Sequence, residues 1–144
     1  MTERTERTER TERTERIERS TCLPAVAARA AASKKGDDTI VLEVGDVLAI
    51  TEAFVITSGT NPRQVRTIAD EVEAAVKAVS GHGPRRVEGL DDAHWILLDW
   101  GDFVVHVFLD ETRAYYELER LWADVPRLDW EDGSRMEAVA AGRG

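Results

Sequence analysis

HWILLDWGDFVVHVFL, His94 to Leu109, is two apolar runs parted by Gly101-Asp102. Glycine at the first position of a two-residue turn supplies the positive φ that hairpin turns need, so the segment reads as a β-hairpin. Pairing Trp100 with Phe103 sets the register. Leu98 then lies opposite Val105, Ile96 opposite Val107 and His94 opposite Leu109. On the other face Asp99 pairs with Val104, Leu97 with His106 and Trp95 with Phe108. A hairpin with one wet face alternates apolar and polar residues. Here the first face is almost wholly apolar, and the second is interrupted only by Asp99 and His106. Both faces therefore need cover, from the rest of the chain or from a partner.

Upstream, Ala53 to Ser58 is nearly continuously apolar, the pattern of a strand in the middle of a sheet. Asn61-Pro62 with Gln64 marks a helix start: an N-cap, proline at the first helical position and a capping-box residue. Val65, Ile68, Ala69, Val72, Ala75, Val76 and Val79 follow at helical spacing, and Gly81 ends the stripe. Arg63, Arg66, Asp70, Glu71, Glu73 and Lys77 form its outer face. Thr39 to Val44 reads as a strand, Asp46 to Glu52 as a strand or helical turn, and Pro84 to Gly89 as a short strand and turn. Downstream, Asp110 is placed to cap a helix over Glu111 to Trp122. Tyr115, Leu118, Leu121 and Trp122 would face inward, with Arg113, Glu117, Glu119 and Arg120 outward.

Pro24 to Lys35 is alanine-rich, with Val26, Arg29, Ala30 and Ser33 at helical spacing. Its weak apolar face suits a helix at the sheet edge. The element order predicts an α/β (α+β) fold, a mixed sheet of about five strands flanked by helices. Residues 21–128 form the expected domain. Before it, residues 1–20 carry a low-complexity tail in which Thr-Glu-Arg repeats five times. After it, residues 129–144 are polar and expected to be flexible, with Trp130 able to pin them.

The 144-residue chain has a formal net charge of −9. Such a chain is poorly suited to wrapping nucleic acid or lying on an anionic membrane, and suited to docking on a basic protein. No apolar run approaches the ~20 residues that span a bilayer. The N-terminus lacks the apolar core of a secretory signal. Cys22 is the only cysteine, so no internal disulfide forms, which fits a reducing cytoplasm.

Candidate chemistry is sparse. Asp99 and His106 are diagonal neighbours within hydrogen-bonding reach, two thirds of a triad without a nucleophile, or a structural or interface pair. His82 lies between glycines in a turn, and His94 opens the hairpin. Ser58-Gly59-Thr60 precedes a helix and reads as an anion seat or a plain strand-to-helix turn. Asp99 and Asp102 are three apart across a turn, which aims them differently from the paired carboxylates of two-metal sites. No catalytic residue, metal or cofactor is expected. The remaining feature is the apolar hairpin face, which suits either core or a protein-binding hot spot.

FVITSGTNPRQVRTIADEV (Phe54 to Val72), VEG (Val87 to Gly89), WILLDWGDFVVHVF (Trp95 to Phe108) and YYELERLW (Tyr115 to Trp122) occur in this order. Together they resemble the ribosomal silencing factor family, RsfS or Iojap. The resemblance covers about Ala25 to Leu128. It implies a nucleotidyltransferase-type α/β sheet without the catalytic carboxylate pair. It also implies a non-enzymatic factor that binds the large ribosomal subunit through its protein fourteen, blocks joining of the small subunit and damps translation in starvation and stationary phase. The acids of the Thr-Glu-Arg repeat argue against a transit peptide, so a bacterial, cytoplasmic form is expected. On this reading the partner surface comprises Trp95, Leu97, Leu98, Asp99, Trp100, Asp102, Phe103 and His106. A homodimer through the same face is the other expected partner state, with no membrane and little direct nucleic-acid contact. A residual nucleotide-binding enzyme using Ser58-Gly59-Thr60 with Asp99 and Asp102 is the competing function.

Overall fold

The hairpin closes in the register that its sequence sets. In the computed structural model, which describes residues 23–48, 50–131 and 134–136, Trp95 lies opposite Phe108, Leu97 opposite His106 and Leu98 opposite Val105. The Trp100 N–H donates to the Phe103 carbonyl at 3.1 Å. Gly101 takes φ 91°, the positive value the turn demands. The Thr-Glu-Arg repeat and Cys22 lie outside the described residues.

Helix α1 spans residues 23–33. After it come β1 (Asp37–Glu43), β2 (Ala53–Gly59), α2 (Pro62–Ser80), β3 (Arg86–Glu88), β4 (Trp95–Asp99) and β5 (Phe103–Leu109). Next are α3 (Asp110–Tyr116), α4 (Leu118–Leu121), β6 (Arg127–Asp129) and β7 (Ser134–Met136). The strands form a seven-stranded sheet in the order β3-β4-β5-β2-β1-β6-β7. β2 occupies the centre, as its apolar run requires, and pairs in parallel with β5. The mixed α/β class is the expected one. The sheet is wider than about five strands because the end of the expected domain and the start of the tail expected to be flexible add β6 and β7 beyond β1. Trp130 does pin this stretch: its indole N–H donates to the Thr39 carbonyl at 2.8 Å. Arg29 in turn donates to the Trp130 carbonyl at 3.0 Å. Residues 45–47 between β1 and β2 form a turn.

One face of the sheet lies under α1 and α2. Helix α2 starts at Asn61, whose side chain accepts from the Gln64 N–H at 2.8 Å. It stops at Gly81, φ 83°. Gln64 departs from the expected box. Its Oε1 accepts from the Thr60 N–H at 2.7 Å, and its Nε2 donates to the Lys34 and Lys35 carbonyls at 3.2 and 3.1 Å. One side chain thus ties the start of α2 to the end of α1. Val65, Ile68, Ala69, Val72 and Val76 are buried, whereas Val79 at the end of the stripe is exposed. Of the expected line in α1, Ala30 is buried and Val26 packs partly buried against the core, Arg29 and Ser33 are exposed, and Ala25, Ala27, Ala28 and Ala31 are buried besides. This helix contributes to the main core. Methyl side chains let a helix backbone approach closely, so a weak-looking stripe still packs densely.

The other face lies under α3 and α4. The single helix expected from Glu111 to Trp122 is two pieces, because Glu117 takes φ 47° and interrupts it. Asp110 is the first helical residue, and Leu109 occupies the N-cap without a side-chain bond. The break changes the helical phase. Tyr115 and Leu121 turn outward, while Leu118 and Trp122 pack with Leu42, Val44, Ile56 and Phe108. Arg113, expected on the wet side, is buried. Its Nη1 donates to the Asp37 carbonyl at 2.9 Å and to Ser58 Oγ at 3.1 Å. Its Nη2 donates to the Asp38 carbonyl at 2.7 Å. The register of β1 on β2 is irregular there, and Arg113 satisfies carbonyls that the irregular ladder leaves over.

Candidate functional site

The fold divides the eight hairpin residues singled out above. Leu98 and Phe103 are each 1% exposed in the core beneath α2. Neither can meet a partner, because the turn parity places both on the covered face. Trp100, on the same face, stacks on Phe103 with centroids 5.1 Å apart. Its indole N–H donates to the His82 carbonyl at 3.1 Å. Asp99 does not pair with His106. Its Oδ1 accepts from the Gly101 N–H at 2.7 Å and so braces the turn. Asp102 is exposed at the turn, and its carbonyl accepts from the Glu52 N–H at 2.8 Å and Thr51 Oγ1 at 3.0 Å. Leu97 is half-buried on the second face.

His106 is buried at 6% exposure. Its Nδ1 accepts from the Trp95 indole N–H at 3.1 Å. Phe54 meets its ring edge-on at 5.0 Å, and Phe108 stacks at 6.2 Å. Burial among these rings lowers its pKa from 6.5 to about 4. The imidazole is therefore neutral at pH 7, and with Nδ1 accepting, its proton sits on Nε2. Nε2 has no acceptor among the described residues. A buried unpaired donor costs about 1–3 kcal/mol.

Trp95 is half-buried and reaches the surface. Its ring lies 4.7 Å from Phe108 and 5.1 Å from Tyr116. It lines an open cleft of about 400 Å³ with Tyr115, Tyr116, Asp92, Glu111 and His94. Two elements shape this cleft. The break at Glu117 leaves both tyrosines on the surface, Tyr115 81% and Tyr116 54% exposed. The loop between β3 and β4 is pinned by α2: Arg66 Nη2 donates to the Asp91 carbonyl at 2.6 Å and Nε to the Leu90 carbonyl at 3.2 Å. Gly89 begins that loop at φ 87°, and a Cβ there would collide with the Trp95 carbonyl. Sequence reading found Trp95 but missed Asp92, Glu111, Tyr115 and Tyr116 as its companions. The available signal was a Tyr-Tyr pair in the helical segment that follows the hairpin.

The competing nucleotide site does not assemble. Gly59 lies level with Leu109 and Ala53 with Phe103 along the parallel pair. Ser58-Gly59-Thr60 and the turn carrying Asp99 and Asp102 therefore sit at opposite ends of the sheet, about 20 Å apart at ~3.3 Å per residue. Ser58 is held by Arg113, and Thr60 by Gln64. Among the described residues no group of three or more His, Cys, Asp or Glu could hold a metal ion. Among them, no helix is long and apolar enough to cross a membrane.

The fold and this cleft define a small mixed α/β protein that presents aromatic rings among carboxylates. The sequence profile described as "Ribosomal silencing factor during starvation" matches residues 17–143. The chain is 37% identical over 108 residues to ribosomal silencing factor RsfS of Bacillus subtilis, covering 75% of this chain and 91% of that protein. A mouse protein named mitochondrial assembly of ribosomal large subunit protein 1 is 34% identical over 87 residues, 59% of this chain and 38% of its own length. A crystal structure of a Chromobacterium violaceum protein superposes with a TM-score of 0.66 at 32% identity, covering 69% of this chain and 82% of that one. The chain belongs to the ribosomal silencing factor (RsfS) family.

Proposed function

We propose that this protein docks through the Trp95 cleft on the large ribosomal subunit, at its protein fourteen. By occupying the joint surface it keeps the small subunit away and represses translation under nutrient limitation and in stationary phase. Family membership across residues 17–143 is the observation that carries the reading. The mouse relative, named for assembly of the large subunit, points to the same particle. The chemistry of the cleft is consistent with it. Trp95, Tyr115 and Tyr116 offer ring faces and Asp92 and Glu111 carboxylates, a combination suited to an Arg or Lys side chain on a basic protein. With a net charge of −9, the chain favours such a protein over rRNA phosphate. Blocking subunit joining requires occupancy and no turnover. Leu97 continues the surface along β4, and Asp102 at the far end of the hairpin marks how far the footprint extends.

The test uses purified subunits. The wild-type protein should co-sediment with large subunits and inhibit their joining to small ones. Trp95→Ala should weaken both by about tenfold or more, with an unchanged circular dichroism spectrum. Glu111→Lys should do the same and reduce the salt dependence of binding. Folded Trp95→Ala protein that binds like wild type would overturn the placement. Sedimentation of the isolated protein reports whether a second copy occupies the same face.

A further inference from the structure

We infer that His106 is the positioning residue of the docking surface: it is buried itself, and it fixes the Trp95 indole through the Trp95 Nε1–H to His106 Nδ1 hydrogen bond. The inference rests on the Trp95 cleft being where the partner docks.

His106 and Trp95 lie on neighbouring strands as diagonal neighbours, with Leu97 opposite His106 and Phe108 opposite Trp95. Around the imidazole stand Phe54, Phe108 and Trp95. A hydrophobic side chain of similar size would suit such surroundings and would not strand the Nε2–H, which has no acceptor among the described residues. What imidazole adds at this position is the Nδ1 acceptor. The Trp95 indole has one polar atom, and its hydrogen bond points that atom inward, which leaves ring surface for the cleft. Remove the acceptor, and the indole N–H faces an apolar wall; the ring then gains by turning the N–H toward water. Trp95 would lose its fixed packing against Phe108 and Tyr116. Because burial keeps His106 neutral near pH 7, the acceptor is constant under ordinary conditions. A surface aromatic held in one orientation binds without paying to order itself on contact.

The experiment compares His106→Leu, which keeps bulk without the acceptor, with His106→Asn, whose amide oxygen can stand near the Nδ1 position. Trp95→Phe removes the donor, and Trp95→Ala reports whether the cleft docks at all. Affinity for purified large subunits is measured alongside the Trp95 indole N–H resonance of the free full-length protein, assigned by its loss in Trp95→Ala. His106→Leu should bind about tenfold more weakly, with a shifted indole resonance that exchanges faster with solvent. His106→Asn should restore most of both. Adding His106→Leu to Trp95→Phe should bring little further loss, since both remove the same bond. If His106→Leu does not fold, the pair His106→Asn and Trp95→Phe decides. Trp95→Phe must then weaken binding while His106→Asn keeps affinity and slow indole exchange, and any other pattern overturns the inference. Wild-type affinity in His106→Leu, with Trp95→Ala impaired, overturns the positioning role and leaves the docking site standing. Wild-type affinity in Trp95→Ala overturns both.

Discussion

The two faces of the sheet share the same strands but are covered differently. Beneath α1 and α2, valines, isoleucines and alanines pack under a 19-residue helix whose stripe runs the length of the contact. Beneath α3 and α4, helical pieces of seven and four residues rest on aromatic rings and a buried histidine. A continuous amphipathic stripe leaves little of its face open. An interrupted one changes phase at the break, so that Leu118 and Trp122 pack inward while Tyr115 and Tyr116 remain at the surface. The first face supplies stability. The second leaves the cleft that we propose for docking.

The sharpest challenge to this division is Phe103→Ala. It should lower unfolding free energy by about 3–5 kcal/mol in urea titration, because a large ring leaves a closed core. Lost subunit binding without that destabilisation would return Phe103 to the docking surface. Next comes acidification. His106 has its pKa lowered to about 4 in the folded chain against 6.5 unfolded. Its stabilising contribution is complete above pH 6.5 and is lost as pH falls toward 4, by about 3 kcal/mol in all. The difference between the pH–stability curves of wild type and His106→Leu isolates this component from the carboxylates. An identical pair of curves would show that the second face is wetter than described. Arg113→Leu should cost about 2 kcal/mol, with hydrogen-exchange protection lost first at the start of β1, where Asp37 and Asp38 lose their donor. The smallest stability effect belongs to Tyr115→Ala, within about 0.5 kcal/mol, since the ring is exposed. The same variant should weaken large-subunit binding about tenfold, which is the clearest separation of the two faces.

Local signals predicted the local structure well. The hairpin register followed from a glycine turn and a period of two, and α2 from its proline start, its stripe and Gly81. The break at Glu117 had no such sign, since neither Gly nor Pro marks it, and the apolar pattern alone ran on to Trp122. Arg66 and Arg113 read as solvated charges on helix faces. Each instead satisfies carbonyls of a segment distant in sequence, which periodicity does not report. For the site, Trp95 was legible as an aromatic on the less regular face. Leu98 and Phe103 read equally as core or as surface, because an apolar residue looks the same in a core as in an interface. Asp99 and His106 were close enough to pair, but each found another partner, Gly101 and Trp95.

By itself, the sequence determined the strand pairing around Gly101, the long helix after Asn61, the mixed α/β class and the family resemblance, all carried by spacing between near neighbours. Tertiary structure alone decided which hairpin face is sealed, that Arg66 and Arg113 clamp backbone far along the chain, and that Trp95 gathers Asp92, Glu111 and two tyrosines into one cleft. The physical reason is that alternation fixes which residues share a face, while the cover on that face depends on contacts between segments brought together only by folding.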